Sequence, residues 1–162
     1  MFKGDRPACP RGCPGRVHRH GCYWRFAKPS GSDTFAVQRF CCPTCGLSIS
    51  VLPANRLPYR PLEGARLEAC FNEQAEAGTG PDPPPDELEA GCLRRAWTRF
   101  QTRATILKEA FGLLIAHAAD TAAALWKQMR LAKGTLAGML AYLARHHKCS
   151  LLGDYRCLRV PG

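Results

Sequence analysis

Long apolar runs are missing from this sequence of 162 residues. No stretch approaches the roughly 20 apolar residues that a membrane-spanning helix needs. The longest one, at residues 113–119, is interrupted by His117. The first 30 residues also lack the apolar centre of a secretory signal, since Lys3, Asp5, Arg6 and Arg11 interrupt any apolar run. We therefore expect a cytoplasmic protein without a membrane segment.

Acidic side chains are scarce in the first 60 residues, which carry two Asp/Glu against ten Lys/Arg. A catalytic zinc site needs an open coordination position and an acid/base carboxylate nearby. The two candidates, Asp5 and Asp33, lie in no motif, and no Glu follows His18 or His20 at the spacing of the zinc deaminases. No nucleophile–base pair emerges from the motifs either. The chain is predicted not to be an enzyme.

Ten cysteines are present, but their distribution is not that of a disulfide scaffold. Six of them lie in the first 45 residues, most of them in two short groups at residues 9–13 and 41–45. The remainder are single, as small core residues often are. Together with the missing export signal, this favours metal-bound thiolates in a reducing compartment. The scattered cysteines are Cys70, Cys92, Cys149 and Cys157.

The net charge of +10 is divided into blocks along the chain. Two basic blocks, residues 1–60 and 87–162, flank an acidic insert at residues 61–86 with one Lys/Arg against six Asp/Glu. The C-terminal block carries twelve Lys/Arg against five Asp/Glu. Basic blocks of this kind attract polyanions. DNA is the partner that we expect, although a basic surface also serves solubility.

Residues 1–60 are predicted to form a three-stranded β-ribbon. Aromatic and β-branched residues mark strands at 23–26 and 35–40, with a turn signal at 29–33 between them. Residues 47–52 alternate apolar and polar, which indicates a half-buried strand ended by Pro53.

The rest of the chain is predicted to be helical, which gives an α+β fold with three parts. Residues 61–85 combine a helix at 62–77 with a Pro-rich linker at 78–85, and residues 86–162 form a helical domain. Asp86 is a good N-cap for a long helix. Its apolar stripe steps by four and three residues through Leu93, Trp97, Phe100, Ala104, Leu107, Phe111 and Leu114. Further helices are expected at about 120–130 and 135–146, separated by Gly134.

Two cysteine turns predict a single metal site in the ribbon. The sequence reads CPRGC at residues 9–13 and CPTCG at residues 42–46. Zinc binds four such ligands tetrahedrally, and turns with a cysteine at each end supply two each. The predicted ligands of one structural Zn²⁺ are Cys9, Cys13, Cys42 and Cys45. Two alternatives stay open: Cys41 in place of Cys42, and His18 or His20 in place of Cys13.

Several short motifs follow each other around these turns in a recognisable order. They are His20-Gly21, Tyr23 with Arg25, Val37-Gln38-Arg39-Phe40, the second cysteine turn, and Leu52-Pro53 with Pro58-Tyr59-Arg60. On these residues, the segment from Cys9 to Leu62 resembles the zinc β-ribbon at the start of many insertion-sequence transposases. The resemblance covers about a third of the chain.

In such proteins the ribbon is commonly followed by a helix-turn-helix that binds DNA. Residues 86–103, with LRRAWTRF at 93–100, are similar to a recognition helix of that kind. In 162 residues there is no room for the RNase-H-like catalytic domain of a full transposase. The resemblance therefore implies a DNA-binding, non-catalytic protein of mobile-element lineage.

Two groups of arginines are candidates for nucleic-acid binding. Arg95, Arg99 and Arg103 step by four along the predicted helix, opposite its apolar stripe, so that they could follow phosphates or read guanine. The second group, on the ribbon, consists of Arg16, Arg19, Arg25 and Arg39. Tyr23, Trp24 and Phe26 interleave with this group and would suit stacking on single strands. We expect them to form the core of the ribbon instead.

Together, these patterns predict a zinc-stabilised DNA-binding protein. The alternative is an interaction adaptor that binds another protein through the ribbon, the helices and the acidic insert at 63–86, without nucleic acid. Self-association is compatible with either reading.

Overall fold

The computed structural model describes residues 6–53, 56–58, 60–77, 86–115 and 119–154. Three antiparallel strands come first in the chain and five α-helices follow. The predicted α+β fold class is therefore confirmed. Within the described ranges, no helix combines the length and apolar character needed to cross a bilayer.

The sheet is an antiparallel meander in the order β1–β2–β3, with bounds His18–Phe26, Thr34–Cys41 and Ser48–Val51. The three strands lie where alternating and aromatic residues predicted them, although β1 begins five residues earlier than expected. Its first residues are polar and carry no strand signal of their own. They extend the strand because they pair with the end of β2, where His18 lies opposite Cys41.

The ribbon has a small core of its own at one end of the sheet. Pairing across the strands places Phe40, Ile49 and Val51 close together on one face, where Val17 and the buried cysteines of the two turns pack with them. The opposite end of this face, where β1 leads into the turn, does not contribute to the core. The metal centre and the ribbon core are thus one structure.

The helical part begins with α1 at Gly64–Ala77 and continues with α2 at Glu87–Thr102. The other helices are α3 at Ala104–Phe111, α4 at Ala122–Lys133 and α5 at Leu136–Tyr142. A 3₁₀ turn at Gly112–Leu114 follows α3, and a π-helical turn at Leu143–His147 follows α5.

Side-chain caps begin three of these helices. Asp86 accepts a hydrogen bond from the amide of Leu88 at 2.9 Å, as its predicted N-cap role requires. The hydroxyls of Thr121 and Thr135 cap α4 and α5 in the same way, and Gly134 ends α4 at a positive φ of 76°. The predicted boundaries of the last helices are therefore close to the observed ones.

Four aromatic rings form the centre of the helical core. The ring of Phe71 on α1 packs edge-on against Trp97 at 4.9 Å and Trp126 at 5.0 Å, with Phe100 beside it at 5.3 Å. The indole of Trp126 donates to Asn72 Oδ1 at 2.9 Å, so the buried N–H is satisfied. Both tryptophans therefore belong to the helical core, as the apolar stripe predicted for Trp97.

Helix α1 belongs to this core, although the sequence grouped it with the linker. Its buried side chains pack with those of α2 to α5 in one continuous cluster. The Pro-rich segment 78–85 lies outside the described residues, and the division of the chain into domains at 60 and 85 stays a prediction.

A single continuous helix from Leu93 to Leu114 was expected, and this prediction is wrong. The helix is interrupted at Arg103, between α2 and α3. The apolar stripe continues into α3 through Leu107 and Phe111. The guanidinium of Arg103 turns inward and donates to Asp154 at 2.7 Å and to the Ser150 carbonyl at 3.5 Å. The break thus coincides with the point where the C-terminal segment docks.

Arg56 connects the ribbon to the first helix. Its buried side chain donates to the carbonyl of Ala27, at the end of β1, at 3.1 Å and to Glu63, just before α1, at 3.0 Å. The same guanidinium lies 4.9 Å from the centre of the Phe35 ring. One side chain therefore contacts the hairpin and the helical part together.

Replacing Phe71 with alanine is expected to destabilise the protein by about 3–5 kcal/mol, because the cavity would open at the centre of four packed rings. Urea unfolding followed by circular dichroism at 222 nm measures this change. Phe26→Ala is the matched control, since the same side chain is removed from an exposed position and a change within about 0.5 kcal/mol is expected. Equal losses in the two variants would contradict this picture of the core.

Candidate metal centre

The two cysteine turns are closed by backbone hydrogen bonds. In the first turn, the amide of Gly12 donates to the Cys9 carbonyl at 2.9 Å, and in the second the amide of Gly46 donates to the Cys42 carbonyl at 2.8 Å. Both glycines adopt a positive φ, 71° and 69°, which other residues rarely tolerate. Each turn thereby brings its two cysteines to the same side of the chain.

Four sulfur atoms converge between the turns. The Sγ atoms of Cys9, Cys13, Cys42 and Cys45 all lie within 4.8 Å of one another, and those of Cys9 and Cys45 are 3.7 Å apart. A regular tetrahedron with Zn–S bonds of about 2.3 Å has sulfur–sulfur edges of about 3.8 Å. The four thiols are therefore positioned to hold one metal ion.

The second turn is attached both to the first turn and to the sheet. The hydroxyl of Thr44 donates to the Pro14 carbonyl at 3.4 Å, across the site. The amide of Cys42 donates to the Leu47 carbonyl at 3.0 Å, next to the start of β3. Cys9 and Cys42 are buried, whereas Cys13 and Cys45 are half-buried at the surface. The site is therefore built against the ribbon core and closed on one side by it.

The alternative ligands lie outside this cluster. Among the described residues, the group that could hold a metal consists of the four cysteines, and His18 and His20 are exposed on β1. The thiol of Cys41 lies 3.8 Å from the carbonyls of both Cys42 and Gly46, to which it donates. The geometry favours Cys42 over Cys41 and Cys13 over either histidine.

The turn geometry gives the cysteines different acidities. The amides of Cys45 and Thr44 donate to the sulfur of Cys42 and lower its pKa to about 6. Cys13 donates to the sulfur of Cys45, and this bond, together with desolvation, raises the pKa of Cys13 to about 12. At neutral pH in the metal-free state, Cys42 is therefore a thiolate ready to bind a cation, and Cys13 still holds its proton.

The ribbon arginines do not form a single surface. Arg19 lies opposite Phe40, on the face that carries the ribbon core, and is exposed. Arg25 and Arg39 lie on the other face, where the guanidinium of Arg39 is 5.9 Å from the ring centre of Tyr23. The candidate residues are thus divided between the two sides of the sheet. Arg16 is exposed just before β1.

The arginine row on α2 is shorter than predicted. Arg95 and Arg99 are exposed, but Arg103 is only 4% exposed, so the prediction that it continues the exposed row is wrong. With 3.6 residues per turn, each step of four rotates by about 40°. The third member has therefore rotated about 80° toward the core, where it pairs with Asp154.

Arg94 is a further exposed arginine on α2, outside the row of arginines predicted to bind nucleic acid. It lies beside Arg95 on the solvent side of α2. The adjacent arginines in the LRRAW motif could have identified it. At this position on the helix, two consecutive side chains both lie outside the apolar stripe and face solvent.

Two aromatic side chains of β1 are exposed, against the expectation that they form the ribbon core. Trp24 is 68% and Phe26 61% exposed, whereas Tyr23 is half-buried on the opposite face. Their cross-strand neighbours are Ala36 and Thr34, which are also exposed and too small to cover the rings. The core prediction for these two residues is wrong because the ribbon core is confined to the metal end.

Comparison with known proteins identifies no relative of this chain. No protein-family model matches the chain, and no curated protein or solved structure shows significant similarity to it.

Purified protein is expected to contain one zinc per chain, because four sulfurs converge on one position. Cys42→Ser removes a central ligand and should lower the zinc content well below one per chain, measured by plasma mass spectrometry. Cys41→Ser is the matched control, since the adjacent thiol only contacts backbone carbonyls. If both variants keep one zinc, the ligand set is refuted.

Metal removal is expected to unfold the ribbon and leave the centre of the helical core folded, because the ribbon core packs directly on the cysteine turns and is small. Hydrogen exchange after chelation should show lost protection in β1 to β3 and retained protection in α2 and α4. Unchanged protection of β2, the central strand, would contradict this expectation.

Zinc binding is expected to release protons and to weaken as the pH falls. At pH 7 the bound metal displaces the proton of Cys13, whose pKa is about 12. As the pH falls through the pKa of Cys42, about 6, a second proton must be displaced. Titration calorimetry in two buffers with different ionisation enthalpies should show about one more proton released at pH 5 than at pH 7. An equal number would contradict the assigned acidities.

Proposed function

We propose that this protein is a non-catalytic, zinc-stabilised DNA-binding protein, whose helix α2 contacts the phosphates of duplex DNA. The observation that carries the proposal is the group of exposed arginines on α2, Arg94, Arg95 and Arg99. In the described part of the chain, none of the three forms an ion pair with a carboxylate.

The immediate surroundings of these arginines leave them available to a ligand. Arg95 donates to the sulfur of Cys92 at 3.2 Å, and the missing side chain of Gly91 leaves space for its guanidinium. Arg99 is near enough to Asp154 to lower the pKa of that carboxyl, but Asp154 already accepts from Arg103. The positive charge on this side of α2 is therefore largely uncompensated.

The shape of the surface suits a polyanion. The three arginines occupy about two turns of one helix, and Thr98 and Thr102 lie beside them with their hydroxyls bonded to the helix backbone. From Arg94 to its end at Thr102, α2 carries no acidic side chain of its own, so this part of the helix can approach the DNA backbone closely. Arginines then bind phosphates and can also reach base edges in the major groove.

Zinc is the metal that the donor set favours. Four cysteine sulfurs arranged tetrahedrally are typical of structural zinc sites, and they leave no open position for a substrate or water. In this role the ion supplies folding free energy to a ribbon that is too small to fold on its core alone. The metal would stabilise the N-terminal part and take no part in a reaction.

The resemblance to the ribbon of insertion-sequence transposases supports the same function. It rests on the cysteine turns and on the aromatic and basic strand motifs, and the ribbon precedes a basic helix in both cases. A DNA-binding protein of mobile-element lineage, acting in the reducing cytoplasm, is consistent with these features.

Binding is expected to depend steeply on salt, because each neutralised phosphate releases counterions. Fluorescence anisotropy with a labelled 20-bp duplex at 50 and 200 mM salt tests the proposal. Arg95→Gln with Arg99→Gln should weaken binding and reduce the slope of log K against log salt by about 2.

The matched control removes the same charge from elsewhere on the helical part. Lys127→Gln with Arg145→Gln changes two exposed basic residues on α4 and in the final turn, and a smaller effect is expected. Equal effects of the two double variants would show only a general charge effect. Absence of binding by the wild-type protein at both salt concentrations would refute DNA binding and favour the adaptor alternative.

A further inference from the structure

The exposed rings of Trp24 and Phe26 form a platform at the free end of the β1–β2 hairpin. Both lie on the same sheet face, since their register partners Ala36 and Thr34 are two residues apart on β2. Successive residues on one face of a strand are about 6.6 Å apart. The two rings are therefore neighbours, and we refer to them as the aromatic pair.

The aromatic pair takes no part in either core. The ribbon core lies on the same face but at the end of the sheet that carries the cysteine turns. The helical core does not include Trp24 or Phe26 either. Gly31 of the turn lies against one side of Phe26, where an added Cβ would be 3.6 Å from the ring. The turn thus supports this ring from one side and leaves most of its surface free. Two large exposed aromatics on one small face indicate a binding surface.

The charge of the ribbon around the aromatic pair is mainly positive, which favours a negatively charged partner. Residues 6–53 contain seven Lys/Arg and one acidic residue, Asp33, which is paired with Lys28 at 2.8 Å. On the same face, Arg19 is exposed about 15 Å along β1 from the aromatic pair, and exposed Arg16 precedes the strand. This combination of flat rings and basic side chains is complementary to a polyanion that carries aromatic groups.

We propose that this face of the ribbon binds single-stranded nucleic acid, with unpaired bases stacked on Trp24 and Phe26 and the backbone directed toward Arg19 and Arg16. In a duplex the faces of the bases are covered by their neighbours, so that rings of this kind can stack only on unpaired bases. The proposal rests on the proposed nucleic-acid function and adds a second surface to it, distinct from α2.

The two surfaces have different ligands, so they can be separated by experiment. The probes are a labelled oligo-dT of 12 nucleotides and the 20-bp duplex, each measured by anisotropy in low salt. Trp24→Ala with Phe26→Ala should weaken oligo-dT binding by roughly 30-fold or more, since each lost stacking contact costs roughly 5-fold or more, and should leave duplex binding nearly unchanged. The Arg95→Gln and Arg99→Gln variant should mainly weaken duplex binding.

Controls distinguish stacking from a general effect of exposed apolar groups. Leu113→Ala with Leu131→Ala removes two side chains that are 95% and 86% exposed on the helical part, and no change in oligo-dT binding is expected. Trp24→Phe keeps a π surface and should retain most of the affinity. Zinc content and circular dichroism establish that each variant is folded.

Tryptophan fluorescence gives an independent readout. Trp126 is buried and Trp97 packs against the helical core, so Trp24 is the indole with the most exposed ring. Oligo-dT should quench the emission of the wild-type protein, and Trp24→Phe should lose most of this quenching.

Three outcomes would overturn the proposal. One is unchanged oligo-dT binding by the folded Trp24→Ala, Phe26→Ala variant. Another is an equal loss of oligo-dT and duplex binding in that variant. The third is a shift from dimer to monomer with unchanged affinity for oligo-dT, which would assign the aromatic pair to a contact between copies of the chain. If wild-type protein binds oligo-dT but not the duplex, the role proposed for α2 fails and this one stands.

Discussion

The N-terminal third of the protein depends on the convergence of four cysteine sulfurs. The two turns that carry them come from distant parts of the ribbon, and the register of β1 on β2, with His18 opposite Cys41, brings the turns together. The ribbon core around Phe40, Ile49 and Val51 is small, so we expect a metal held by the four sulfurs to supply part of the free energy that keeps the three strands folded. We therefore expect metal binding and sheet formation to be coupled, and the backbone amides of the second turn already favour the thiolate form of Cys42.

The helical part follows a different principle. Its stability comes from the packing of aromatic rings on α1, α2 and α4, with caps that fix where the helices begin. The basic surface is a consequence of this packing, because the apolar side of α2 is fully used and its arginines must face solvent. The protein thus has two cores, one built around the four cysteine sulfurs and one of packed apolar side chains.

Much of this arrangement could be predicted from local patterns. Cysteine spacing predicted which thiols meet, because a turn with a cysteine at each end has few possible geometries. Strand and helix positions followed from periodicity and from Asp86, Thr121 and Gly134. The failures share a cause, namely tertiary contacts without a local signal. Arg103 is buried because a segment 50 residues later docks on it, and Trp24 is exposed because the ribbon core ends before reaching it. Neither fact can be read from neighbouring residues.

The buried guanidinium of Arg56 has a consequence for communication between the two parts. Its two terminal nitrogens donate to the carbonyl of Ala27, beside the end of β1, and to Glu63, before α1. Disorder in β1 would leave this buried cation without its carbonyl partner, at a free-energy cost that is felt at the beginning of α1. Because β1 belongs to the sheet that is built around the cysteine cluster, we expect unfolding of the ribbon to destabilise the beginning of α1 through this one side chain.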